Sequence, residues 1–382
     1  MLNKSKIAQL IDAEFRINSD IYYLNHAAVS PWPTRTRQVV CDFANENNTM
    51  GSFNYLEWMK NEQALREQLV LLINASSSDE IALLKSTSEA LSVVAYGIEW
   101  KFGDNVVISN QEFPSNRIVW ESLQNQGVEV RKVDLSSDNS PEIALIKQID
   151  SRTRILSISS VQYATGLKLN LAELGQACKT AQCLFCVDAI QSIGAVSIDV
   201  QECEIDFLMA DGHKWMLAPE GLALFYCRAC HIEKLQLHQY GWRMIEEPHN
   251  FQQTDWKCVK NARRFECGSP NMLGIHALKS SLSLLLEIGI TQIEQYIFSN
   301  VHYLFDLLND IPDIKIITDT RDNRFAGIVT FQSQTKDHEQ LYQYLMKNKV
   351  MCAYRAGGIR FSPHFYTNKN ILKSAVSILE SF

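Results

Sequence analysis

From about residue 80 onward the chain alternates short, fully apolar runs with stretches of helical period. IALLK is followed by a helix from Glu89, NVVIS by a helix near Ser115, VEVRKVD by a helix near Glu142, and RILSISS by a helix near Leu171. LFCVDA, DFLMA and LALFY then come in close succession. Strands this apolar, separated by amphipathic helices, predict a mainly parallel sheet covered on both faces. Ligands in such sheets bind beyond the carboxyl ends of the strands.

The pattern changes near residue 270. MLGIHALKSSLSLLLEIGI reads as one long helix, after which IKIIT, GIVTF and MCAYR alternate with helices at about 337–348 and 370–381. We therefore expect a large α/β domain over residues 21–270 and a smaller C-terminal α/β domain over 271–382. Residues 1–20 have helical period and could pack on either.

A length of 382 residues suits two or three domains, or one large α/β domain with an appendage, and is enough to bury a deep site. The content of 46% hydrophobic and 21% charged residues argues against disorder or a coiled coil. A net charge of −7 gives no electrostatic reason to expect nucleic acid or an anionic membrane as partner. No run approaches the roughly 20 apolar residues of a membrane span, and MLNKSKIAQLIDAEF lacks a secretory apolar core, so a cytoplasmic protein is expected.

Ten cysteines include two C-x-x-C pairs, Cys183/Cys186 and Cys227/Cys230, the second followed by His231. Cys183 and Cys186 read as residues of one strand, three apart and so on opposite faces. The two pairs are spaced wider than common zinc sites, and a cytosolic chain does not normally meet the haem-attachment machinery, so neither a metal nor a haem site is expected.

The chemistry gathers in DFLMADGHKWMLAPEGLALFY, where Lys214 follows His213 in a small-residue turn between two apolar strands. Taken alone, Lys214 reads first as a solvated loop lysine. If desolvated at the sheet edge, it becomes an amine able to condense with an aldehyde. Asp188 ends LFCVDA, 26 residues earlier by numbering, and can supply the acid that a pyridine nitrogen needs. Ser86, Thr87 and Ser88 close a strand and open a helix, an arrangement that cradles phosphate but also caps ordinary helices.

In order and spacing, YLNHAA (23–28), STSEAL (86–91), NQEFPSN (110–116), VQYATG (161–166), VDAIQSIG (187–194), DGHKW (211–215), RFECGSPN (264–271) and IRFSPHFY (359–366) resemble the class V aminotransferase family of fold-type I pyridoxal 5′-phosphate enzymes. That family includes cysteine desulfurases, selenocysteine lyases and isopenicillin N epimerase-like proteins. The resemblance covers nearly the whole chain. It implies a large domain with a seven-stranded, mainly parallel sheet, a smaller C-terminal domain, and a homodimer with shared active sites.

By position, the resemblance makes Lys214 the Schiff-base lysine and proton carrier, and places Asp188 on the pyridine nitrogen and Gln191 near the ring hydroxyl. His213, Thr87 and Ser88 fall beside the phosphate, with Ser269 reaching it from the other subunit. Phe113 lies over the ring and Gln162 near cofactor and substrate. Arg360 matches the arginine for the substrate carboxylate, a role suited to its bidentate fork, although an interface ion pair would explain it too. Arg355, Asn25 and His26 are further substrate contacts, and Trp32, Phe53, Tyr55 and Trp242 further pocket candidates.

Two departures stand out. The mobile loop that carries the desulfurase cysteine is missing, since only AYRAGGIRF spans the region, and Cys352 upstream reads as a buried thiol. Asp211 replaces a small hydroxyl residue in the phosphate cup; a carboxylate would repel the phosphate there, so it is expected to turn away or to pair with a cation. These features predict an aminotransferase or a C–S β-lyase acting on a small amino acid. The alternatives are a cysteine desulfurase using Cys352 and, from another class, a non-catalytic binding protein of the same fold.

Overall fold

The computed structural model describes residues 3–136 and 140–382. A two-residue strand, β1 (Tyr22–Tyr23), leads into two helices, Thr34–Met50 and Tyr55–Ile73, and then into a seven-stranded sheet. Its strands are β2 (Ile81–Leu84), β3 (Asn105–Ser109), β4 (Glu129–Val133), β5 (Thr153–Ser159), β6 (Leu184–Asp188), β7 (Phe207–Asp211) and β8 (Ala223–Cys227), in the order β2-β8-β7-β6-β5-β3-β4. Neighbours from β7 through β4 run parallel, and only β8 is reversed, pairing antiparallel with both β2 and β7.

Alternate residues of these strands feed two separate cores. Phe185, Val187, Leu208 and Leu224 belong to one, and Cys186, Phe207, Met209 and Phe225 to the other. A strand buried on both faces must be apolar at every position, which is why the sequence runs show no alternation. The same period places Cys183 in the first core and Cys186 in the second, on opposite faces.

A second sheet, antiparallel throughout, has four strands: β9 (Ile314–Ile316), β10 (Val329–Ser333), β12 (Ala353–Arg355) and β13 (Gly358–Phe361), in the order β12-β13-β10-β9. The intervening β11 (Val350–Met351) instead takes β1 as a parallel partner. The stretch expected as one long helix is two, Met272–Ile288 and Ile290–Asn309, bent by 81° at Gly289, whose φ of +93° suits glycine. No single helix among the described residues is long and apolar enough to cross a membrane.

The first helix, Lys4–Glu14, touches both parts of the chain. Glu14 pairs with Arg35 at 2.6 Å, and Phe15 stacks on Tyr366 with centroids 3.6 Å apart. The RFECGSPN segment is anchored by Glu266, whose carboxylate accepts from the Leu83 N–H at 2.8 Å and from Arg66 Nη1 at 2.7 Å.

Two glycines fix the turn that carries Lys214. A Cβ on Gly194 (φ +95°) would lie 2.3 Å from the Trp215 carbonyl oxygen, and one on Gly327 would lie 2.2 Å from the Trp215 ring. The Trp215 ring and backbone can therefore sit between two segments only because both lack a side chain. Leu217 in the same turn has φ +60°, a left-handed conformation that costs a branched residue on the order of 1–2 kcal/mol.

Candidate active site

The carboxyl ends of β6 and β7 bring Asp188 and the Lys214 turn together, and Thr87 opens the helix Thr87–Gly97 beside them. Asp188 is 2% exposed, and one carboxylate oxygen accepts from the Ile190 N–H at 3.1 Å. Burial, with Glu112 nearby adding repulsion, pushes its carboxyl up to about 7. Lys214 is 9% exposed and has no ion pair within 4 Å among the described residues. Burial draws its amine down to about 8, against the pull of Asp188 and with help from Arg360 and Arg355. Its Nζ lies 5.6 Å from the centre of the Phe113 ring, which in turn meets Tyr163 edge-on at 5.1 Å.

Arg360, on β13, is 2% exposed. Its Nη1 donates to the Tyr163 carbonyl at 2.7 Å and its Nη2 to Asn25 Oδ1 at 3.5 Å, while Nε has no partner. No carboxylate among the described residues pairs with it, so the interface ion pair that the sequence allowed is not formed. Burial, with repulsion from Arg355, pulls the guanidinium down to about 10. A buried cation that meets only a carbonyl and an amide oxygen keeps hydrogen-bonding capacity for a carboxylate. Arg355 itself is exposed and donates to its neighbour's carbonyl, Tyr354 O, at 2.7 Å.

The buried carboxylate of Glu112 escaped the sequence reading. It accepts from Ser109 Oγ at 2.7 Å, Asn116 Nδ2 at 2.9 Å, the Ser159 N–H at 3.0 Å, Ser159 Oγ at 2.5 Å and Gln162 Nε2 at 3.0 Å. Because Glu112 takes the amide nitrogen of Gln162, the Gln162 carbonyl oxygen is left buried and unpartnered. The signal was a lone Glu just past an apolar strand, inside NQEFPSN; nothing in its spacing pairs position 112 with 159 or 162.

Other expected contacts are placed differently. His26 is fully buried, with Nδ1 on the Ser362 carbonyl and Nε2 on the Tyr366 hydroxyl, both at 2.7 Å. Neither ring nitrogen is left for a ligand, so His26 is a core residue and not a substrate contact. Gln191 donates to the Ala27 carbonyl at 2.9 Å and accepts from Trp215 Nε1 at 2.9 Å, which leaves one amide hydrogen for a ring hydroxyl. Asp211 does not turn away: it faces the start of the helix Thr87–Gly97 and accepts from the Thr87 N–H at 3.2 Å. His213 Nδ1, 3.9 Å from Asp211 Oδ2, has no hydrogen-bond partner, and burial pulls its ring down to about 4. It is therefore no cation for Asp211.

Ser88 donates to Ser115 Oγ at 2.8 Å at the open end of the cup. Ser269 is exposed and lines a surface hollow of about 320 Å³ with Lys85, Glu89 and Gly221. Trp32 and Phe53 are exposed, at 41% and 80%. Cys352 is 2% exposed, and burial pushes its thiol up to about 12. A thiol so placed is protonated and covered in this structure, unlike the exposed thiolate that a persulfide nucleophile needs.

The set fits pyridoxal 5′-phosphate. It holds a buried acid close to neutrality, a desolvated amine, an aromatic face, a helix start, and three unpartnered buried polar atoms on Gln162, His213 and Arg360. The aminotransferase class-V family profile matches residues 22–367, and the chain belongs to that family. It is a pyridoxal-phosphate-dependent enzyme.

Among known proteins, a probable cysteine desulfurase from Methanothermobacter thermautotrophicus is 27% identical over 94% of each chain. Solved structures similar to this one include a cysteine desulfurase from Escherichia coli (TM-score 0.87, 21% identity, 100% of this chain and 98% of that one). A cystine C–S lyase in complex with its reaction product, cysteine persulfide, is equally similar (TM-score 0.88, 21% identity, 95% and 98%).

Proposed function

We propose that this enzyme is a C–S β-lyase of a cysteine-type amino acid, in which sulfur leaves without capture by a protein thiol. The observation that carries the reading is Arg360, a buried guanidinium with no anionic partner, close enough to Lys214 to depress its amine. A fork of this kind suits the carboxylate of an amino acid held with its α-carbon near Lys214. The relatives support sulfur chemistry, and the burial of Cys352 removes the nearest candidate for a persulfide carrier.

When bound, pyridoxal 5′-phosphate supplies an aldehyde that condenses with amines and a ring that delocalises a carbanion. Asp188, buried and lifted close to neutrality, would hold the proton on the pyridine nitrogen. Lys214 would take the proton from the substrate Cα and pass it to the departing sulfur, its depressed amine being partly neutral near physiological pH. Phe113 would offer an aromatic face to the ring, and Gln162 and Gln191 would orient the ring and the substrate. Thr87, Ser88 and His213 would hold the phosphate. The electron pair of the broken Cβ–S bond departs with sulfur, and water completes release of the oxo acid and ammonia.

The reading includes a cytoplasmic homodimer in which the exposed Ser269 of each chain reaches the other chain's phosphate cup, with Asn25 and Arg355 at the substrate mouth. The test is a panel of amino acids, including cysteine and cystine, added to the loaded enzyme while pyruvate, ammonia and sulfide are assayed. Pyruvate and ammonia with an unchanged cofactor spectrum are expected. Conversion to the pyridoxamine form with one equivalent of oxo acid would make the enzyme an aminotransferase instead. Light scattering of the loaded protein checks the dimer.

A further inference from the structure

We propose that Asp211 binds the cofactor phosphate as a protonated acid, so that loading the site takes up one proton and pyridoxal 5′-phosphate affinity is governed by pH at this residue. This rests on the reading that the start of the helix Thr87–Gly97 receives the phosphate.

Asp211 ends β7 directly against that helix. The Thr87 N–H donates to Asp211 Oδ1 at 3.2 Å, and the Asp211 N–H donates to Thr87 Oγ1 at 3.1 Å, so the two elements are locked in register. The Asp211 side chain is only 13% exposed and already occupies the positive end of the helix where an anion belongs. A phosphate brought to the same turn meets a carboxylate that cannot retreat without giving up its hydrogen bond to the Thr87 N–H.

The charges around Asp211 leave it little choice. Lys214, from the turn that follows β7, attracts it; Glu220, ahead of β8, repels it, and it in turn raises Asp188 on β6. His213, in the same turn, is held neutral by burial, and the facing helix offers Thr87. A dianionic phosphate adds two like charges to this group, whereas one proton taken from water turns Asp211 from acceptor to donor. One oxygen then keeps the Thr87 N–H while the other donates O–H to a phosphate oxygen. Burial, the largest influence, has already lifted the Asp211 carboxyl to about 6 before any phosphate arrives.

The test uses the full chain stripped of cofactor and titrated with pyridoxine 5′-phosphate, which has the phosphate but no aldehyde, between about pH 6 and 8.5. Calorimetry in buffers of different ionisation enthalpy reads the proton directly. The wild type should take up about one proton at about pH 8 and lose roughly tenfold in affinity per pH unit above about pH 7. Asp211→Asn and Asp211→Ser should bind about tenfold or more tightly at about pH 8, with the extra proton gone; the serine variant guards against a folding defect in the first.

Equal proton uptake and equal pH slopes in the wild type and a folded variant would overturn the proposal. So would the same Asp211-dependent slope with pyridoxine, which lacks the phosphate. No binding of pyridoxine 5′-phosphate by the wild type at any pH would overturn the cofactor reading itself, and the proposal with it.

Discussion

Lys214 and Asp188 approach each other from opposite sides of neutrality. The lysine follows β7 and the aspartate ends the neighbouring parallel strand β6. The same burial that draws the amine down to about 8 lifts the carboxyl to about 7. An amine drawn down this far can take a proton from a bound substrate, which one locked in a salt bridge could not do, and the acid is left for the ring nitrogen proposed for it. Lys214→Ala should slow turnover by roughly 10²–10⁴-fold and abolish borohydride trapping of the cofactor on the chain. Asp188→Asn should keep trapping intact while lowering turnover. Mass spectrometry after reduction, set beside steady-state rates, separates the two effects.

Arg360 gives a sharper test of substrate class. Arg360→Lys keeps a charge but loses the fork, and should raise KM for amino acids roughly 10–100-fold with a smaller change in kcat. Amines that lack a carboxylate should react with the cofactor equally well in both proteins. If Arg360→Lys left KM unchanged, the guanidinium would be structural.

Cys352 separates a lyase from a desulfurase. Its thiol is buried in the core beside Arg360 and pushed up to about 12, so it should be inert to iodoacetamide in the folded protein. Cys352→Ala should leave sulfide release within about twofold of the wild type and lower stability by about 1 kcal/mol. Loss of sulfide release with stability retained would restore the persulfide route.

Lys214, Asp188 and Arg360 were marked out by the family resemblance of the motifs that carry them, and the strands were legible because each is a local apolar run. Features that depend on pairing across the fold were not. Glu112 gains its network from Ser159 and Gln162, 47 and 50 residues away. The bend at Gly289 looks in sequence like one more small residue in an apolar helix. His26 has the composition of a pocket residue, and only the buried partners Ser362 and Tyr366 show that it belongs to the core. Asp211 was recognised as out of place, but its direction is set by Thr87, 124 positions distant.

The His26 cluster should set the acid limit of stability. His26 is fully buried, and burial pulls its ring from 6.5 down to about 4; His364, packed 5.4 Å away, is displaced in the same direction. Between these values the unfolded chain holds a proton that the folded chain does not, so stability rises with pH across that window and is fully present above about 6.5. As pH falls from about 6.5 to 4, His26 alone should cost on the order of 3 kcal/mol. His26→Asn should be less stable at neutral pH, because it loses the ring contacts with Trp215 and Tyr366, yet it should show a shallower acid slope. Denaturant midpoints measured across the window check this, and equal slopes in the two proteins would move the acid limit to other groups.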